Sequence, residues 1–369
     1  MKSILLFCVF ILIILSACKD NTFIEEPIPV GFSEYICYPG SNPKIWAHDC
    51  NLYCLYNIFF IDKKHGWILN ENDSILRTTD GGKSWEKYFI EHSETSGYTF
   101  KGHFNTLYFK DTLNGWVGDA NNGLYKTTDG GKSWTKKVLF TEQMDRGIYD
   151  IQFTDEMTGW ATIKNGSSDD AIIKTTDGGN NWEINLTDFE DGIDDLHFTN
   201  KTTAFFQTFH RISQKTNSRI YKTTDEGKTW FEVFKDTTIA LYQSFFLDEN
   251  NAWIKTDEYK FLRTSDGGFN WFYQNYNSER YISNFTFVDE NHGWGISSLP
   301  NYLYGGTKYH LISFTEDGGI NWLPLNYWVS LSEPNGIVHF HDLFFFDKNE
   351  GFISGSKGVI LHTTTGGKP

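Results

Sequence analysis

Apolar residues in this 369-residue chain occur first as one run and then as short clusters that keep returning. The run, Ile4 to Leu15, follows the basic Lys2 and closes at Leu15-Ser16-Ala17-Cys18. About a dozen apolar residues fall short of the roughly 20 that span a bilayer and suit a cleaved export signal. Beyond it, aromatic residues recur beside Gly and Asp. One cluster, Phe60-x-Asp62-x-x-x-Gly66-Trp67, returns at 109–116, 153–160, 198–205, 246–253, 287–294 and 345–352. Asn200 replaces the Asp once, and Ala204 and Ala252 replace the Gly. A second cluster, "TTDGGKSW" from Thr78 to Trp85, returns in copies ending at Trp134, Trp182, Trp230, Trp271 and Trp322. A seventh copy starts at Thr363 and breaks off at Pro369, before any Trp.

The copies of this second cluster are 41 to 51 residues apart, a period that marks a repeat architecture. Each unit has room for four short strands. The first ends at Phe-x-Asp and Gly-Trp opens the second. A third resembles "SILRTT", and a fourth starts at the Trp, as in "SWEKYFI". Four antiparallel strands at this period predict a propeller blade, and seven units predict an all-β, seven-bladed β-propeller. The last unit has no fourth strand, and an open edge would expose unpaired backbone groups. An N-terminal strand over residues 43 to 50, around Trp46, is therefore expected to complete the last blade and close the ring. The expected layout is a signal peptide over 1–17, a tether over 18–43 and the propeller over 44–369.

Composition agrees with this reading: aromatic residues are 17% of the chain, Gly is common at 33 and Pro scarce at 8. Aromatics favour pleated, half-buried surfaces, and Gly supplies turns. The formal net charge of -15 repels phosphate backbones and anionic lipid, which argues against nucleic acid as a partner. Gly82-Lys83-Ser84 has the look of a phosphate-binding loop, but that loop needs an earlier Gly and a following helix. The leading Gly position holds Arg77, Lys126 and Lys222, and other copies replace the Lys by Asn180, Phe269 and Ile320. The stretch reads instead as a tight turn: Asp accepts backbone N–H groups, Gly tolerates positive φ, and Thr donates its hydroxyl.

The pattern Ser/Thr-x-Asp-x-Gly-x-x-Trp is similar to the Asp-box, or BNR repeat, of sialidases and related propellers. That resemblance implies that Asp80, Asp129, Asp177, Asp225, Asp266 and Asp317 hold peripheral turns. The combined unit, Phe-x-Asp-x-x-x-Gly-Trp followed by the box, resembles the photosystem II assembly and stability factor propellers over residues 44 to 369. It implies a non-enzymatic scaffold that binds partner proteins during membrane-complex assembly. In that family a basic patch is implicated in binding; this chain departs from it in its acidic charge and its leader. "LSAC" resembles a bacterial lipobox, which implies lipidation of Cys18 and a membrane-anchored, exported protein, at the outer membrane and facing either the periplasm or the exterior.

Variation concentrates in loops of one face, at 91–104, 209–219 and 297–310, where repeat folds usually carry function. Asp145-Arg146 and Glu279-Arg280 occupy matching places in blades three apart, with Tyr149, Tyr281, His103, His339 and His341 near the same rim. Arg with aromatic neighbours suits an anionic or sugar ligand. The expected partner is a protein or glycan at the cell envelope, bound by a monomer that needs no cofactor and no metal. An exported glycoside hydrolase is the alternative, with Asp145, Glu279 or Asp342 as candidate carboxylates. No Arg-Ile-Pro start of the sialidase type occurs, and the chain has only six Arg. The acidic run at 188–195 reads as a solvated loop, and Cys37 could pair with Cys50 or Cys54.

Overall fold

The computed structural model describes residues 34–37, 54–70, 73–90, 104–120, 123–139, 147–164, 170–187, 192–212, 215–256, 260–276, 281–298, 310–325 and 339–368. They form seven four-stranded antiparallel sheets, a seven-bladed propeller. Blade 1 consists of Leu55–Phe60, Gly66–Asn70, Ser74–Thr78 and Glu86–Phe89. Blades 2 to 6 repeat this order over 104–138, 147–186, 194–236, 241–275 and 281–324. First strands of neighbouring blades touch one another around the centre, so they are innermost. Second strands such as Gly66–Asn70 are buried throughout, whereas the outer strand Glu86–Phe89 is largely exposed.

Local chemistry sets each turn. After the first strand, Asp62 Oδ1 accepts the amides of Lys64 and His65 at 2.7 and 2.8 Å. The same two-amide turn is made by Asp111, Asp155, Asn200, Asp248, Asp289 and Asp347. An Asn serves because only the acceptor oxygen is needed. Gly66 opens the next strand beneath the Phe60 ring, where an added Cβ would come within 2.3 Å of it.

Between the third and fourth strands, Thr78 Oγ1 donates to Asp80 Oδ1 at 2.8 Å and accepts the Gly82 amide at 2.9 Å. Asp80 in turn accepts both the amide and the hydroxyl of Ser84. The five further complete boxes repeat this, with Ser133, Asn181, Thr229, Asn270 and Asn321 as the second donor to Asp. In the broken seventh copy Thr363 Oγ1 still accepts the Gly367 amide, while Thr365 Oγ1 turns to the Lys368 carbonyl.

Blades are joined by aromatic stacks. The ring opening each second strand lies on the first-strand Phe of the next blade: Trp67 on Phe109, Trp116 on Phe153, Trp160 on Phe198 and Phe205 on Phe246. Trp253 on Phe287, Trp294 on Phe345 and Phe352 on Phe60 complete the circle, with centroids 3.7 to 4.8 Å apart over all seven pairs. The other face of several of these rings is covered by the cross-strand cation, Lys126, Lys174, Lys222 or Arg263. Lys126 and Lys222 then reach the next blade's box, donating to the carbonyls of Gly178 and Gly267.

Blade 7 holds three strands within 340–363 and takes its fourth from the other end of the chain. That strand is Glu34–Cys37, antiparallel to the last strand with Glu34 opposite His362 and Cys37 opposite Val359. The outer position expected for residues 43–50 is thus filled from within the stretch expected to be tether; residues 43–50 themselves lie outside the described residues.

The insertion at 209–219 is not a loop but a lengthened hairpin, Ala204–Ile212 against Lys215–Thr223, with Ile212 paired to Lys215. Two predictions follow from closure and stacking. Deleting residues 1–37 lowers the melting temperature by many degrees relative to deleting 1–33; equal values would refute closure by Glu34–Cys37. Trp253→Ala removes a fully buried ring and should cost about 3–5 kcal/mol in chemical denaturation.

Candidate functional site

Each innermost strand slips register shortly before its Phe, between Tyr56 and Ile58 in blade 1 and at the matching place in the other six. A slipped residue leaves its backbone unpaired within the blade and turns its side chain sideways. At Asn57 and Asp195 the backbone enters the left-handed region, at φ 44° and 47°. Asn and Asp tolerate that region better than other non-glycine residues.

These positions carry polar side chains that reach the neighbouring blade. Asn57 Nδ2 donates to the Asn105 carbonyl at 2.7 Å, and Asn105 Nδ2 to the Ile148 carbonyl at 3.2 Å. Asp150 accepts the Leu196 amide, and Asp195 accepts the Ser244 amide at 2.8 Å. Gln243 donates to Asn284, which donates to the His341 carbonyl and to Asp342. Asp342 accepts the Ile58 amide at 2.9 Å, bringing the circuit back to blade 1. Seven blades are therefore linked in a closed polar ring around the mouth.

The three carboxylates of the ring titrate unusually. Burial raises Asp195 to about 7, helped by the nearby Asp150 charge, and burial alone raises Asp342 to about 6. Asp150 is also pushed up by burial, against the pull of Lys164. Lys164 is ion-paired with Asp194 and stands 4.8 Å from the Tyr149 ring. Thr162 Oγ1 donates to Asp150 at 2.8 Å, and Gln207 Nε2 to Asp195 at 3.2 Å. Among the described residues no three His, Cys, Asp or Glu side chains come together as a metal site.

Asp194 and Asp195 end the acidic run at 188–195, and there the solvated-loop expectation fails. Both are half-buried members of the blade 4 inner strand, tied to Lys164 and Ser244. Asp342, a candidate acid for hydrolysis, instead has its oxygens on Ile58, Leu343 and Asn284. Tyr149 and Tyr281 lie on inner strands of blades 3 and 6, and His339 and His341 flank the start of the blade 7 inner strand. The His341 ring stands 4.7 Å from Tyr56 of blade 1. His103, Asp145, Arg146, Glu279, Arg280, Cys18 and Cys50 lie outside the described residues, and Cys37 is described only in its backbone.

Apart from Asp342, which was read as a candidate acid for hydrolysis, the ring residues were missed by the sequence reading although a signal existed. Asn57, Asp150, Asp195, Gln243, Asn284 and Asp342 each stand three positions before the cassette Phe, and blade 2 has Asn105 one step earlier. Lys255 was missed too. It is the only charged residue at the place two after the second-strand aromatic, where the other blades have Leu69, Gly118, Thr162, Gln207, Ile296 and Ser354.

A family model described as photosynthesis system II assembly factor YCF48 matches residues 49–143, the stretch that holds blades 1 and 2. No curated protein matches the sequence. Among solved structures, "YCF48 bound to D1 peptide" superposes with a TM-score of 0.62 at 20% identity, covering 85% of this chain and 93% of that one. YCF48 from Cyanidioschyzon merolae gives 0.59 at 19% identity, covering 84% and 95%. A polysaccharide lyase, the PL25 ulvan lyase, gives 0.58 at 9% identity, covering 83% and 90%. At these identities the likeness concerns fold, and in fold and repeat the chain is a YCF48-like seven-bladed propeller.

The titrations predict opposite pH effects from the two ends of the blade. Asp195 binds its proton more tightly folded than unfolded, so its contribution is full below about pH 4 and is lost as pH rises through about 7. Asp225, held at about 2 by the Thr229 hydroxyl and amide, contributes above about pH 4 and loses this as pH falls toward 2. Asp195→Asn should flatten the decline of melting temperature between pH 4 and 7; a slope unchanged from wild type would contradict the assignment.

Proposed function

We propose that this chain is a non-catalytic propeller that binds a segment of a partner protein at the mouth of its polar ring. The carrying observation is how that mouth is used. Its three carboxylates are engaged with amides and side chains of adjacent blades, while Tyr56, Tyr149, Tyr242 and Tyr281 stand part-exposed beside them. Tyr rings give large contact area at low entropic cost, the composition of a recognition surface rather than of a hydrolytic one. The YCF48 structure carrying a D1 peptide supports a peptide-binding use of this fold. Asp145, Arg146, Glu279, Arg280 and His103 would extend the surface from the loops before the inner strands.

A glycan in place of a protein segment is the second reading, favoured by the same tyrosines and by the sugar-bound form of the ulvan lyase fold. We further infer from the leader that the protein is held in the cell envelope by lipid on Cys18. On this reading Cys18→Ser moves the protein from the membrane fraction to the soluble one.

The test is an array of 15-residue peptides from the host's exported proteins, run beside a glycan array. Tyr56→Ser/Tyr149→Ser should abolish most peptide signals, and Phe89→Ser, on the outer strand, should leave them. Loss with Phe89→Ser alone, or signals confined to glycans, would overturn the protein-binding reading.

A further inference from the structure

Lys255 is the last residue but one of the second strand of blade 5, Ala252–Thr256, and faces blade 6, as Trp253 does two residues earlier. Only 5% of its surface is accessible. Its ammonium lies 4.3 Å from the Tyr281 ring centre and 5.3 Å from that of Tyr242. Among the described residues it makes one hydrogen bond, to the Ser283 carbonyl at 3.3 Å. An ammonium has three N–H donors, so the remaining two look for acceptors. No ion pair joins Lys255 to any carboxylate among the described residues, and burial lowers its titration to about 8.

The repeat shows what is missing. In blades 3 and 4 the residue at this place is polar, Thr162 or Gln207, and each is matched by a carboxylate from its own slipped inner strand, Asp150 or Asp195. Blade 5 places the stronger donor there but offers Tyr242 and Gln243 on its slipped strand, neither of them a carboxylate. A buried cation without a counter-charge is costly, and that cost is relieved when an anion arrives. Tyr242, 41% exposed, walls the ammonium on one side and borders the mouth.

Resting on the reading that this mouth binds a protein segment, we infer that Lys255, between Tyr242 and Tyr281, is the receiving site for a carboxylate of that segment. The carboxylate replaces, from outside, the one that blades 3 and 4 supply from within. Two aromatic walls favour an apolar or aromatic residue on either side of it. The carboxylate could be an Asp or Glu side chain or a chain terminus, and the chemistry at Lys255 is the same.

Three blocked tetrapeptides separate the cases. Acetyl-Ala-Phe-Glu-Phe-amide carries only a side-chain carboxylate, acetyl-Ala-Phe-Gln-Phe only a terminal one, and acetyl-Ala-Phe-Gln-Phe-amide none. Titration calorimetry on the whole chain should show one of the first two binding at least about tenfold tighter than the third, a difference of about 1.4 kcal/mol. Lys255→Met should erase that difference and leave or raise the melting temperature, because it removes a buried charge that no carboxylate among the described residues matches. Lys255→Arg should keep the preference. Equal affinity for all three peptides, or a preference that survives in Lys255→Met, would refute the inference. A melting temperature that falls sharply in Lys255→Met would also refute it, by showing that the charge is matched within the fold. If array partners bind wild type and Lys255→Met equally, the protein-binding reading stands while the carboxylate site falls. If no peptide binds wild type in any format, the reading itself falls.

Discussion

The structure depends on one contact made seven times: an aromatic ring at the start of a second strand lying flat on the inner-strand Phe of the next blade. A four-stranded sheet cannot bury both of its faces alone, and this stack is how each blade borrows a cover from its neighbour. Offset aromatic pairs add about 0.5–1.5 kcal/mol beyond the area they bury. The rest of the repeat serves the stack. Gly66 is small because Phe60 lies over it, and the second Gly of most boxes approaches the ring of the preceding blade, Gly131 against Trp67 and Gly179 against Trp116. Trp67, Trp253 and Trp294 also donate their indole N–H to a box carbonyl of the following blade. The Asp-box is therefore a turn and a packing surface at once.

The mouth is organised by a different principle. Near the box the blades meet through apolar rings; at the slipped inner strands they meet through side-chain-to-backbone hydrogen bonds. Such bonds are strong only when every partner is present. A seven-member polar circuit is thus stiff where complete and informative where it departs from its own pattern, as at Lys255. Lys63 with Asp347 and Glu350, and Lys110 with Glu156, add ion pairs between blades on the turn side. Being exposed on one or both partners, these contribute little compared with the stacks.

Much of the fold was legible because it is periodic. Seven copies of two cassettes fixed blade number, strand count and the need for a closing strand, since sterics demand the same Phe, Gly and Trp each time. The closing strand itself was misplaced, from Glu34–Cys37 to residues 43–50, because a four-residue edge strand has no period and its register is set only by its partner Val359–Thr363. The mouth was less legible. Asn57, Asp195 and Asp342 differ in type yet do the same work, and what they share is a hydrogen-bonding reach across a blade boundary, which residue identity does not display. Asp194 and Asp195 looked like solvated charge because their partners, Lys164 and Ser244, lie 30 and 49 residues away in the chain.

Glu34 stands opposite His362 in the sheet register, so the outermost strand of the last blade and its partner come from opposite ends of the propeller sequence. The ring closes only when these two segments meet. Once the two meet, seven blades share a single circumference, and opening any one of them means breaking the circle.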